Sequence, residues 1–190
     1  GDANHAGSTA MADRKDALVA AAGFINKVPE IVKEYGNEFT VATVGTIKVT
    51  PHSVNVIPGT CTFSLEIRDQ SAEVMKLIEN HLRQLLEDIC KKYGVTSTFV
   101  PTSYHDPAPM SELVRGTIEE AVKELGIDYT VIPSGAFHDS LIMTSVFPTG
   151  MIFVPSKDGI SHSRYEYTAP EDIENGCNVL LNTVLKLDEK

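Results

Sequence analysis

The sequence predicts an α+β unit followed by a segment of a larger α/β sheet. Three observations carry this. Apolar side chains recur at helical spacing over residues 13–35 and again from Ser71 to Tyr93. Between those helices, "TCTFSLEIR" (60–68) alternates strictly, with Cys61, Phe63, Leu65 and Ile67 on one face and Thr62, Ser64, Glu66 and Arg68 on the other. Further on, "MIFV" is short and uniformly apolar, which suits a strand buried on both faces.

The elements follow in order. After a short extended start, the first helix carries Leu18, Ala21, Ala22, Ile25, Val28 and Val32, with a kink expected at Pro29 and an end at Gly36. "FTVATVGTIKV" (39–49) is β-branched and strand-like, and "PHSVNVIPG" connects it to the alternating strand. Ser71 is suited to cap the second helix and Gly94 to close it. "VTSTFV" (95–100) reads as a strand. With the opening residues counted as a strand, residues 1–103 run β-α-β-β-α-β, an order that gives a four-stranded antiparallel sheet with two helices on one face.

"HDPAP" (105–109) is the linker. Beyond it come a helix over about 111–125 ended by Gly126, a strand "YTVI", a short helix after "SGAFHDS", a strand "GMIFVP", the loop "GISHS", and a last helix entered through Pro170. Two short apolar strands with three helices would leave long edges exposed, so this half is expected to belong to a sheet whose other strands lie outside the chain.

Composition narrows the function. Of 190 residues, 42% are hydrophobic and 22% charged, as in globular proteins. Sixteen basic against 26 acidic residues give a net charge of −10, which argues against nucleic acid and anionic membrane as partners. Cys61, Cys90 and Cys177 are widely spaced on apolar faces, and are expected to be reduced core residues of a cytoplasmic protein. The chain opens at Gly1 in "GDANHAGSTAM", which reads as the inside of a longer protein.

Read locally, the polar candidates keep two meanings each. His5 in "NHAGS" suits a turn. Asn55 in "NVIPG" suits a turn residue that satisfies backbone groups, and Arg68 a solvated strand end. His138 in "SGAFHDS" stands at a helix start or in a site. His162 in "GISHSRYEY" lies in a loop after a buried strand, where α/β proteins place chemistry, with Glu166 as its partner or a surface acid. His52, His81 and His105 read as surface or loop histidines. Neither Ser161 nor Ser163 sits in a GxSxG turn, and neither a Gly-rich phosphate loop nor HExxH occurs.

In their order, "NHAGSTAM-x-x-R-x-D-A", "NVIPG-x-x-x-F-x-x-E-I-R-D", "SGAFHDS", "PTGMIFVPS" and "GISHSRYEY" resemble the motifs of the N-carbamoyl-L-amino-acid hydrolases. That group includes allantoate amidohydrolase and β-alanine synthase, within the two-metal aminoacylase/carboxypeptidase-like hydrolases. The resemblance covers the C-terminal half of those enzymes. It implies a lid and dimerisation domain at 1–105 and the C-terminal segment of the metallohydrolase catalytic domain at 106–190. It also implies a homodimer formed through the lid, an N-terminal catalytic half outside this sequence, and a small-molecule substrate with a carboxylate.

The resemblance assigns roles residue by residue. His5 matches the lid histidine that polarises the scissile carbonyl in the partner subunit's site. Asn55 and Arg68 match residues that grip the substrate carboxylate. Gly135, Ala136, Phe137 and His138 match a substrate-contacting segment, in which Phe137 replaces the family's usual glycine. Ala10 stands where proline is usual. His162 matches the last ligand of a site for two divalent ions, zinc or manganese. The other ligands and the general base are expected outside this sequence, so full metal occupancy is not expected of this chain, nor turnover by it alone. The activity implied is cleavage of a C–N bond in an N-carbamoyl amino acid or ureido acid. Alternatives are an N-acyl amino acid or dipeptide substrate, or a non-catalytic lid and dimerisation module.

Overall fold

A computed structural model describes residues 1–189. The chain divides into two compact units, Gly1–Pro107 and Ala108–Lys190.

The first unit is built on two helices and a long hairpin. Helix α1 (Ala17–Tyr35) starts where Asp16 accepts hydrogen bonds from the N–H groups of Leu18 and Val19. It runs through Pro29, whose ring removes the N–H that would bond the carbonyl of Ile25. Gly36 caps its end. A side chain there would sit 2.6 Å from the Val32 carbonyl and 2.7 Å from Thr40 Oγ1, so only glycine allows the turn to close. Helix α2 (Ala72–Tyr93) begins at Ser71, whose hydroxyl accepts the Val74 N–H, and ends at Gly94 with φ 63°. The buried core is Phe24 and Val28 of α1 against Ile78 and Leu82 of α2, with Phe63, Leu65 and Ile67 packed on it. The Phe24 and Phe63 rings lie 5.5 Å apart.

The strands are β1 (Asn4–His5), β2 (Val41–Thr43), β3 (Ile47–Thr50), β4 (Val56–Ile57), β5 (Thr60–Phe63) and β6 (Glu66–Arg68). β2 pairs with β6 and β3 with β5, all antiparallel. These pairs are one hairpin interrupted by a bulge. Ala42 faces Ile67 and Ile47 faces Phe63, so the first strand spends five steps where the second spends four. The extra residue at Val44–Gly45 restores the facing of β3. Without it either Ala42 or Ile47 would turn away from the side of the helices. The Ser64 N–H donates to the Thr46 carbonyl at 3.1 Å beside the bulge, and the Thr46 N–H donates to Ser64 Oγ at 3.0 Å.

The expected four-stranded sheet is therefore corrected. Three two-stranded pairings replace it, and residues 95–100 form no strand among the described residues. That stretch is held by a side chain instead, with the Arg83 guanidinium 3.7 Å from the centre of the Phe99 ring. His81 also departs from expectation. It is a packing residue of α2, stacked 3.6 Å from the Tyr35 ring at 13°.

The second unit packs α3 (Glu112–Glu124) against α5 (Pro170–Asp188), with a short α4 (Asp139–Met143) between them in sequence. Thr117, Ala121, Val122, Val179 and Thr183 are buried. Both threonines satisfy their hydroxyls on the carbonyl four residues back. Ser111 caps α3, and Pro170 stands in the first turn of α5. The strands expected at "YTVI" and "GMIFVP" are not formed among the described residues. A strand exists only through its ladder, and neither stretch has a partner here: Val131, Ile132 and Phe153 stay about half exposed. Cys177 is exposed and not core, on an α5 that also exposes Leu180 and Leu181. Among the described residues no helix is long and apolar enough to cross a membrane.

Candidate functional site

The candidate residues fall into two groups, one in each unit, and each is held by its own neighbours.

In the first unit, the two-residue ladder of β1 and β4 sets His5 opposite Val56, and the Ala6 N–H donates to the Asn55 carbonyl at 2.9 Å. Residues 5 and 55, fifty apart in sequence, thus become neighbours. The His5 ring has a defined polarity. Its Nδ1 accepts the Gly7 N–H at 3.0 Å, which directs Nε2 outward from an exposed position. The Asn55 side chain is oriented similarly, because Ser53 donates its hydroxyl to Asn55 Oδ1 at 2.8 Å and leaves the Nδ2 end as donor. Each side chain thus offers a hydrogen-bond donor of the kind that suits an oxyanion or carboxylate.

Arg68 ends β6 opposite Val41. Its Nη2 donates to Glu66 at 2.7 Å. The β1–β4 ladder brings the Asn55 backbone beside the His5 segment. Asp69, the last residue of the same motif, is structural. It accepts bonds from the Thr40 hydroxyl, the Ser71 N–H and the Asn37 amide, tying the α1–β2 turn to the start of α2.

In the second unit, residues 134–138 form a polar turn. The Ser134 hydroxyl donates to the Ala136 carbonyl at 3.3 Å, accepts the Ala136 N–H at 3.2 Å, and pairs with His138 Nε2 at 3.1 Å. His138 stands at the N-cap position of α4, half-buried, 5.7 Å from the Phe153 ring. Gly135 and Ala136 are exposed, and Phe137 presents 49% of its surface.

His162 is exposed in its loop with φ 55°, a left-handed conformation uncommon for a residue with a Cβ. Glu166 does partner it, but through the backbone: its carboxylate accepts the His162 N–H at 2.8 Å. An open cleft lined by Lys157, Asp158, Ile160, Tyr165 and Tyr167 flanks this loop. Among the described residues, no three His, Cys, Asp or Glu side chains converge to hold a metal ion. A hydrolytic zinc takes at least three protein ligands, so the donor set present does not fit such a centre by itself.

Arg14, Thr9 and Ser53 hold these groups in place. Arg14 and Thr9 stand inside the first motif, but their local sequence gives no sign of this role, and neither does that of Ser53.

Comparison with known proteins agrees along the whole chain. The family model for peptidase family M20/M25/M40 matches residues 2–186. An N-carbamoyl-L-amino acid amidohydrolase from Geobacillus stearothermophilus is 40% identical, over 98% of this chain and 45% of the relative's length. An allantoate amidohydrolase from Bacillus subtilis is 34% identical over the same shares. A crystal structure of AtUAH in complex with (S)-hydroxyglycine superimposes with a TM-score of 0.94 at 34% identity, covering 100% of this chain and 45% of that one. The chain thus spans less than half the length of the relatives it matches. The match of residues 2–186 shows that this chain belongs to the M20/M25/M40 peptidase family.

Proposed function

We propose that this chain is the C-terminal portion of a metal-dependent amidohydrolase that cleaves a C–N bond in an N-carbamoyl amino acid or ureido acid. The observation that carries it is the β1–β4 ladder, which brings the backbone at Asn55 beside the His5 segment, with the donor end of each side chain left unengaged by its own turn. In support, relatives of 34–40% identity are named as amidohydrolases of carbamoyl amino acids and allantoate.

In this reading His5 Nε2–H donates to the carbonyl oxygen as negative charge develops on it, and so stabilises the transition state more than the ground state. Asn55 Nδ2 and the Arg68 guanidinium bind carboxylate oxygens. The His138 turn shapes the pocket wall. His162 supplies one ligand nitrogen, and residues outside this chain supply the remainder of the metal site and the proton transfer. Residues 1–105 act as lid and dimer surface, and 106–190 complete the catalytic domain.

A second reading, hydrolysis of an N-acyl amino acid or dipeptide, draws on Phe137. Its exposed ring in the substrate-contacting turn suits an apolar acyl group. A separate reading takes the isolated chain as a lid and dimerisation module without turnover of its own.

The test is to co-express the chain with the N-terminal half of the Geobacillus relative, then supply zinc or manganese. Ammonia release from N-carbamoyl amino acids, lost on His5→Ala, is the expected result. Release of acyl groups without ammonia favours the second reading. Full metal occupancy with neither activity overturns both.

A further inference from the structure

The segment around His5 contains more order than an exposed turn needs. The His5 N–H donates to Asn4 Oδ1 at 2.8 Å, and the His5 carbonyl accepts the Thr9 hydroxyl at 2.8 Å. Arg14, half-buried, reaches back over the turn. Its Nη2 donates to the Ala6 carbonyl at 2.6 Å and to the Thr9 carbonyl at 3.1 Å, and its Nε donates to Thr9 at 3.2 Å. A planar guanidinium bonded to two carbonyls three residues apart fixes the curvature of the backbone between them. That curvature aims the Gly7 N–H at His5 Nδ1.

Gly7 is constrained in a second way. A Cβ built on it would lie 3.1 Å from His5 Cε1 and 3.4 Å from Nδ1, closer to the ring than an ordinary contact. The ring therefore rests directly on the glycine backbone.

An N–H can only donate, so the nitrogen it meets must carry a lone pair. The neutral imidazole then holds its proton on Nε2. We propose that Gly7 and Arg14 are positioning residues that lock His5 into a single ring orientation as a neutral Nε2–H donor. The inference rests on the hydrolase reading for its use, since such a lock matters where a donor must face an oxyanion. A ring free to flip or to exchange tautomers would present a lone pair to the developing charge part of the time.

The experiment uses the 190-residue chain labelled with nitrogen-15, at a pH where imidazole is neutral. Long-range proton–nitrogen correlation spectra are expected to give His5 as the Nε2–H form, with a through-hydrogen-bond coupling between the Gly7 nitrogen and His5 Nδ1. Amide exchange at Gly7 is expected to quicken roughly two- to tenfold on His5→Ala, the factor for one ordinary hydrogen bond. Arg14→Gln is expected to quicken it similarly and abolish the coupling. Gly7→Ala, which leaves Arg14 in place, is expected to displace the ring and abolish the coupling as well. A proton on Nδ1, or Gly7 exchange indifferent to both His5→Ala and Arg14→Gln, overturns the proposal. Neither outcome touches the hydrolase reading, because ammonia release is not measured. Conversely, an inactive assembled enzyme leaves the ring assignment as it stands.

Discussion

Replacing Glu166 with alanine tests whether the loop at His162 is held by the bond that its geometry indicates. The left-handed backbone at His162, φ 55°, carries an intrinsic penalty of about 1–2 kcal/mol for a residue with a Cβ. Opposing it is the bond from the His162 N–H to the Glu166 carboxylate at 2.8 Å. A hydrogen bond to a charged group contributes about 1.5–3 kcal/mol when shielded, but both residues are exposed, so about 1 kcal/mol is the figure to expect. Penalty and bond are of the same size, which leaves the loop conformation close to balance. Glu166→Ala should shift that balance by about 1 kcal/mol, or roughly fivefold in the opening equilibrium. The assay is amide exchange at His162: with open and closed forms near even, that shift raises the open fraction from about one half to about five sixths, so exchange should quicken by a little under twofold, with little change in melting temperature. Glu166→Gln keeps a carbonyl acceptor and should lie between the two, and His162→Asn, which adopts φ > 0 more readily, should reduce the dependence on Glu166. Exchange at His162 that is the same in Glu166→Ala and the wild type would refute the argument.

The remaining expectations concern the scaffold. Asp16→Ala removes two N-terminal bonds from α1 and should lower stability by about 1 kcal/mol in urea melts, with Asp16→Asn recovering most of it; a neutral Asp16→Ala would contradict the cap. Leu82→Ala deletes a fully buried side chain of the first core and should cost about 3–4 kcal/mol, while Leu77→Ala, at a residue 42% exposed, should cost under about 1. Glu79 gives a pH signature: burial pushes its carboxyl up, but bonds from Arg83 and Lys76 outweigh this and hold it below its ordinary value of 4.5. A lowered carboxyl contributes stability that is present above the ordinary value and is lost as pH falls through the lowered one. The stability difference between wild type and Glu79→Gln should therefore hold at neutral pH and close only below pH 4.5; a gap that persists in strong acid would show that the two pairs do not stabilise α2.

The helices were legible in the sequence because what starts and stops them is local. Ser71, Gly94 and Pro170 act within a turn of where they stand, and periodicity supplies the face. Strands were less so. The alternation of 60–68 was correct, with Phe63, Leu65 and Ile67 on the core, but the bulge opposite it depends on pairing register, and no residue of "TVATVGT" announces it except Gly45. Residues 95–100, 129–132 and 150–155 carry strand-like side chains, and composition cannot supply a neighbour to pair with. The site divided along the same line. His5 could be singled out from its motif. The approach of the Asn55 backbone to its segment could not, because a two-residue ladder closes a fifty-residue gap.

The holding bonds around the candidate residues share one property: they are short in sequence. His5 is held by Asn4, Gly7, Thr9 and Arg14, Asn55 by Ser53, His138 by Ser134, and His162 by Glu166. None of these bonds spans more than nine residues, so each group keeps its geometry from its own loop. A site whose members are each held in this way can be assembled late, from separate parts of a chain or from separate chains, without relearning any side-chain orientation. The entropy of ordering each donor is already met before assembly, which is the condition under which binding energy goes into the reacting centre. If that holds, His5→Ala and Asn55→Ala should leave the stability of this chain within about 0.5 kcal/mol, because both side chains are exposed and hold nothing distant. A loss of several kcal/mol from either would mean that the residue belongs to the framework, and that the site must be sought elsewhere.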